Sequence, residues 1–298
     1  MNVAAQTQAS WPQAGFSPVC ALQVFGMRRS GNHAIIDWLM RNSPDGATGG
    51  VFYNNCKFGK NPERAFGSLD VYDANREVTP HKDITDKARI MQAGSAPMVI
   101  VSYEDRMPEP QGQAQKASDG FKNTDFSYQV IIYRSFLNWS ASLLAKLKKN
   151  AGYGMTDRMR IMMLALNGYI EGLDKVASKR EVRAICYDEW MTSECYRSET
   201  LASLGLPVRD LDRGNVRRYG GGSSFQGKGV SADNLGSTSR DAEMAEDPEY
   251  QLLLWTAAHD LQFMERLIPH FEADAERLAT LAETSKLHIK LPPRKAHV

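Results

Sequence analysis

Residues 25–36 read FGMRRSGNHAII. The apolar run VCALQVF leads into Gly26, and the whole of 19–26 reads as a buried strand ended by glycine. Beyond Gly31, NHAIIDWLMRN (32–42) puts Ile35, Ile36, Leu39 and Met40 on one helical face. Strand, short glycine-bounded loop and helix together open an α/β unit. The first amides of a helix have no partner within it, and the positive end of its dipole favours anions there. Gly26 and Gly31 permit the turn and the close approach of an oxyanion to the backbone. Ser30 adds a hydroxyl donor. Arg28 and Arg29 add charge in a form that can grip two oxygens at once.

A magnesium-dependent nucleotide loop needs G-x-x-x-x-G-K-[ST]. The spacing from Gly26 to Gly31 fits it, but Asn32 and His33 stand at the Lys and Ser/Thr positions. The hydroxyl that would hold the metal is missing, and the cationic charge lies inside the loop instead. This points to phosphate binding that does not depend on Mg²⁺.

Outward from the loop the pattern repeats. MVIVSY (98–103), YQVIIY (128–133) and VRAICY (182–187) read as buried strands. Helical periodicity covers about 138–150, 156–177, 193–204 (closed by Gly205), 247–268 and 271–285. Short apolar strands alternating with helices predict an α/β fold: a central parallel sheet flanked by helices, a P-loop-like three-layer sandwich. The segments 43–95, 106–127 and 213–239 fit no regular element. Residues 1–15 read as a disordered polar arm, 16–285 as one domain, and 286–298 as a basic tail.

At 298 residues the chain can bury a sizeable core, and 42% apolar and 24% charged residues are ordinary for a globular protein. A formal net charge of +1 supplies no global attraction to nucleic acid or acidic membranes, so any anion site is local. No apolar run approaches the ~20 residues of a membrane helix, and the amino-terminal stretch lacks the pattern of a signal peptide. Cys20, Cys56, Cys186 and Cys195 show no metal-binding spacing. They read as free thiols of a cytoplasmic protein without a metal site.

The run strand–Arg29-Ser30-Gly31–helix resembles the 5′-phosphosulfate loop of sulfotransferases that use 3′-phosphoadenosine 5′-phosphosulfate (PAPS). Asn32-His33 replaces the frequent Thr-Thr of that family. A second motif is similar to the family's 3′-phosphate signature, a strand-end Arg with a Ser eight residues on. In YRSFLNWSAS these are Arg134 and Ser142. A third, ICYDEWMTSECYRSETLASLGLP (185–207), resembles the family's Tyr-Glu-Asp strand end and following helix, which would set Tyr187 beside the adenine. A fourth, SSFQGKG (223–229), is similar to a Thr-Ser-Phe segment near the adenine, with Ser223 and Phe225, or to a 3′-phosphate loop through Lys228. The likeness runs from about residue 20 to 230.

The resemblance implies metal-independent, in-line transfer of a sulfuryl group from PAPS to a hydroxyl or amine of a small-molecule, carbohydrate or peptide acceptor, leaving 3′,5′-ADP. The ligands of PAPS would come from Arg28, Arg29, Ser30, Gly31, Asn32 and His33 with Arg134, Ser142 and Tyr187. Arg29 would stabilise charge in transfer, while Arg28 turns aside, since adjacent residues rarely face one ligand. The acceptor would lie under 43–95 and 106–127. The strand MVIVSYED puts Glu104 where cytosolic relatives carry their His base. His33, with Asp37 one turn on, and His81 are the rival bases. Two other functions fit a phosphate loop: a P-loop kinase or NTPase, and a non-catalytic nucleotide-binding module.

Overall fold

The computed structural model describes residue 11 and residues 15–57, 66–81, 90–108, 125–178, 182–214 and 239–284, with Pro80 and His81 described by backbone alone. Seven strands form one sheet: β1 (Cys20–Gly26), β2 (Gly50–Asn54), β3 (Ser68–Tyr72), β4 (Val78–His81), β5 (Met98–Glu104), β6 (Tyr128–Tyr133) and β7 (Arg183–Cys186). Their order is β4-β3-β2-β5-β1-β6-β7. From β2 to β7 the neighbours are parallel, while β3 and β4 extend the β2 edge antiparallel.

The expected strands at 19–26, 98–103 and 128–133 are present nearly as read. The stretch 43–95 differs from expectation, because β2, β3 and β4 lie within it. All three are short, and β3 and β4 are mixed in polarity, since an antiparallel extension at a sheet edge needs no continuous apolar run. Tyr187 also differs. It does not end a strand but opens a helix.

The helices are α1 (Asn32–Arg41), α2 (Phe136–Lys148), α3 (Met155–Ala177), α4 (Tyr187–Thr192), α5 (Glu194–Ser203), α6 (Arg240–Met244), α7 (Pro248–Ala258), α8 (Leu261–Leu267) and α9 (Glu272–Thr284). The stretch 247–268, read as one helix, is two. His259 ends α7, and the Asp260 carboxylate accepts the Phe263 amide at 3.1 Å to cap a new start.

Along β1 the side chains alternate between two cores. Ala21 and Phe25 join one with Phe136, Trp139, Tyr169, Tyr250 and Phe263 from the helices. Leu22 and Val24 join the other with Ile35, Leu39, Trp190 and Leu201. A strand buried on both faces with helices against each is a three-layer α/β sandwich. Trp38, Trp139 and Trp190 are fully buried at 0% exposure. Each such side chain contributes on the order of 2–3 kcal/mol by leaving water.

Trp11, inside the expected polar arm, is buried. Its Nε1 donates to the Asp125 carbonyl at 3.1 Å, and its ring stacks on Phe16. Residues 286–298 lie outside the described residues. All four cysteines are free, and no described helix is long and apolar enough to cross a membrane.

Candidate functional site

The parallel register sets the site. Gly26, the last residue of β1, pairs with Glu104 at the end of β5 and with Ile132 near the end of β6. The loop 27–31 therefore leaves the carboxyl edge of the sheet between two neighbours that continue elsewhere in the chain. Crevices at such points are where open α/β sheets bind ligands.

Within the loop the backbone is unusual. Arg29 has φ 73° and Gly31 φ 90°, both left-handed. A left-handed arginine is costly, of order 1 kcal/mol or more, and such residues gather at binding sites. Gly31 also admits no side chain for a second reason. A Cβ there would come within 2.0 Å of the Tyr187 ring. At Gly26 a Cβ would meet Asn32 Oδ1 at 2.5 Å and the Ile132 carbonyl at 2.9 Å.

Gly31 caps α1 with no side-chain hydrogen bond, and Ala34 and Ile35 close the first helical bonds onto its carbonyl. Ser30 Oγ and Asn32 Oδ1 are buried and find no hydrogen-bond partner among the described residues. Left-handed residues on both sides of Ser30 are how a backbone forms an anion-receiving concavity. A helix start with a buried, unsatisfied hydroxyl beside it suits an oxyanion.

Arg29 and Arg28 point to different partners. Arg28 turns outward to Asp105: its backbone amide donates to Asp105 Oδ1 at 2.8 Å, and its guanidinium pairs with the same carboxylate. Arg29 turns inward, with Nε donating to Ser142 Oγ at 3.3 Å. The Arg134 guanidinium donates to the Arg29 carbonyl at 3.2 Å and lies 4.9 Å over the Tyr187 ring. The motifs from 29, 134–142 and 187 thus meet at one place. Arg29 sits there in contact with both Arg134 and Ser142, the pair expected at the 3′-phosphate.

A further arginine joins them. Arg240, at the start of α6, is 4% exposed, and its amide donates to Asn138 Oδ1 at 2.8 Å. Burial, then repulsion from Arg134 and Arg240, pulls the Arg29 pKa down to about 10. Burial and Arg134 likewise lower that of Arg240. These groups remain cationic at neutral pH but disfavour one another, a cost that a bound anion relieves. No motif in the sequence reveals Arg240, because it follows the Gly/Ser-rich 213–239 stretch and only packing brings it back to α2.

Supports lie behind these side chains. Trp139 Nε1 donates to the Arg28 carbonyl at 2.9 Å, and Tyr169 OH donates to the Arg134 carbonyl at 2.7 Å. Both rings are buried and stacked on each other, 4.6 Å between centroids.

On the opposite flank, His33 Nε2 stands 3.7 Å from Glu104 Oε1, an ion-pair separation rather than a hydrogen bond. The His33 ring meets Phe52 edge-on. The two candidate bases therefore share one half-buried mouth. Asp37, expected as an orienter of His33, accepts from Tyr72 OH at 3.3 Å and pairs with Arg41 at 3.4 Å. Ser223, Phe225 and Lys228 lie outside the described residues, as does the His81 side chain.

Neither a model of a known protein family nor a curated protein matches the sequence.

Proposed function

We propose that this chain is a PAPS-dependent sulfotransferase that moves a sulfuryl group to a hydroxyl or amine acceptor without a metal. The observation that carries the reading is the gathering of Arg29, bonded to Ser142, with the buried Arg134 and Arg240, directly beside an uncapped helix start at Gly31. These are two anion-receiving features side by side, and Tyr187 lies against both. A nucleotide with phosphate on both the 5′ and 3′ positions has the matching pair of anionic groups, with a base to lie along an aromatic ring. PAPS and its product 3′,5′-ADP are such nucleotides.

In this reading the loop amides, Ser30 and Asn32 receive the 5′-phosphosulfate. Arg134, Ser142 and Arg240 receive the 3′-phosphate. Arg29 spans the two and offsets charge that builds on the leaving phosphate. The S–O bond to that phosphate breaks as a bond forms from sulfur to the acceptor oxygen or nitrogen. The acceptor proton passes to the His33–Glu104 mouth, whose groups lie within reach of the loop.

Calorimetry with 3′,5′-ADP tests this. The unsubstituted protein binds it, EDTA leaves that binding unchanged, and Arg29→Ala and Arg134→Ala each weaken it by about 30- to 100-fold, as loss of a charge-assisted contact predicts. Absence of binding by the unsubstituted protein ends the reading. Consumption of PAPS across phenol, sugar and amine acceptors then identifies the reaction.

A further inference from the structure

Two half-buried carboxylates flank the residue after Arg134, and no motif in the sequence points to either. Ser135 caps the start of α2. Its amide donates to Asp188 Oδ2 at 2.7 Å. Its hydroxyl donates to Asp274 Oδ2 at 2.8 Å, and that same oxygen accepts the Leu137 amide at 3.1 Å. Asp188 comes from α4, one residue beyond Tyr187, and Asp274 comes from the first turn of α9. Three segments far apart in the chain are therefore fastened at a single backbone position.

A simple capping role accounts for only part of this. One acid at a helix start stabilises it, but two half-buried acids close enough to repel each other do not come free. Burial raises the pKa of each, and Asp188 adds to the rise at Asp274. Attraction between Asp188 and Arg134 partly offsets that cost. What the arrangement secures is the direction of the chain at 134–135, and with it where the Arg134 guanidinium points.

Resting on the reading above, we infer that Asp188 and Asp274 are positioning residues that act through Ser135 to aim Arg134 at the 3′-phosphate, and so set the preference for 3′-phosphorylated nucleotides. Asp188 also ties that aim to the ring of Tyr187, its neighbour in the chain. Asp274 makes the aim depend on α9, which lies beyond the stretch where any motif was legible. Neither carboxylate needs to touch the nucleotide.

The experiment compares dissociation constants for 3′,5′-ADP and 5′-AMP, which differ by the 3′-phosphate alone. Asp188→Asn and Asp274→Asn are expected to weaken 3′,5′-ADP by about tenfold, the scale at which hydrogen bonds behind a ligand act. Affinity for 5′-AMP stays within about twofold for Asp274→Asn. In an Arg134→Ala background, Asp274→Asn adds nothing further, because its effect runs through the missing side chain. A purely structural role would weaken both nucleotides alike and would add in full to Arg134→Ala. Ser135→Ala, which removes one hydroxyl, reproduces the effect at about threefold if Asp274→Asn does not fold. The proposal is overturned if Asp274→Asn and Ser135→Ala keep the unsubstituted preference, or if the double variant is additive. If the unsubstituted protein itself shows no preference for 3′,5′-ADP over 5′-AMP, the sulfotransferase reading fails and this proposal with it.

Discussion

On one flank of the 27–31 loop, Arg29, Arg134 and Ser142 are held by partly buried contacts, with Trp139 and Tyr169 fixing the carbonyls of Arg28 and Arg134 behind them. On the other flank, Arg28 and Asp105 pair at the surface, and His33 and Glu104 face each other across 3.7 Å in a half-buried mouth. The inner flank is tight and strongly cationic. The outer flank has charges of both signs and looser spacing. A group that must recognise one fixed anion gains from rigid, preorganised donors. A group that must take a proton from an incoming acceptor needs access and some freedom to close on it. Under the proposed function, the difference between the flanks is a division between holding a donor nucleotide and meeting an acceptor.

That division can be broken at several points. The largest effect is expected at the loop itself. Gly31→Ala forces a side chain into a left-handed residue and into the Tyr187 ring. It should lose detectable 3′,5′-ADP binding and destabilise the fold by about 3 kcal/mol or more, read by calorimetry and denaturant unfolding. Wild-type affinity in that variant would remove the contact on which the inner flank depends.

Next come the bases. His33→Ala and Glu104→Gln should each lower PAPS turnover by about a hundredfold, yet leave 3′,5′-ADP affinity within about threefold. A parallel fall in nucleotide affinity would merge the two flanks into one site. If Glu104→Gln alone has no effect on turnover, the outer flank works through His33.

Arg240 offers a smaller effect on the inner side. Arg240→Met should weaken 3′,5′-ADP by about tenfold, a single charge-assisted contact, and leave 5′-AMP nearly unchanged. Equal losses for both nucleotides would move Arg240 out of the 3′-phosphate group. The smallest effect is expected from Arg28→Ala, because Arg28 faces Asp105 and not the cluster of Arg29, Arg134 and Arg240. Its change in 3′,5′-ADP affinity should stay below about threefold. A loss as large as that of Arg29→Ala would show that the outward arginine swings in when the nucleotide binds.

The motifs that were legible are those built locally. The run 25–36 specifies a strand, a turn and an amphipathic helix within a dozen residues, so its reading survives unchanged in β1 and α1. Arg134 and Ser142 were likewise readable, because a strand end and a helix start lie within one short span. Strands of 43–95 were not legible. β3 and β4 pair antiparallel at an edge, where neither a long apolar run nor a strict alternation is required, and β2, though parallel to β5 inside the sheet, is only five residues long; their partners were unknown in advance. The split of 247–268 hung on Asp260, whose capping role depends on the chain actually turning at His259.

Sequence by itself determined the α/β class, the glycine-bounded turn between β1 and α1 and the helix start that follows it. Each follows from periodicity, glycine placement and helix-end electrostatics, which act over a few residues. Tertiary structure alone decided that Arg29 joins Arg134 and Ser142, that Arg240 completes the group, that Asp188 and Asp274 converge on Ser135, and that His33 meets Glu104. Those contacts span tens to more than a hundred residues of chain. They exist because parallel strands bring distant segments to the same sheet edge, an outcome of packing that no local pattern encodes.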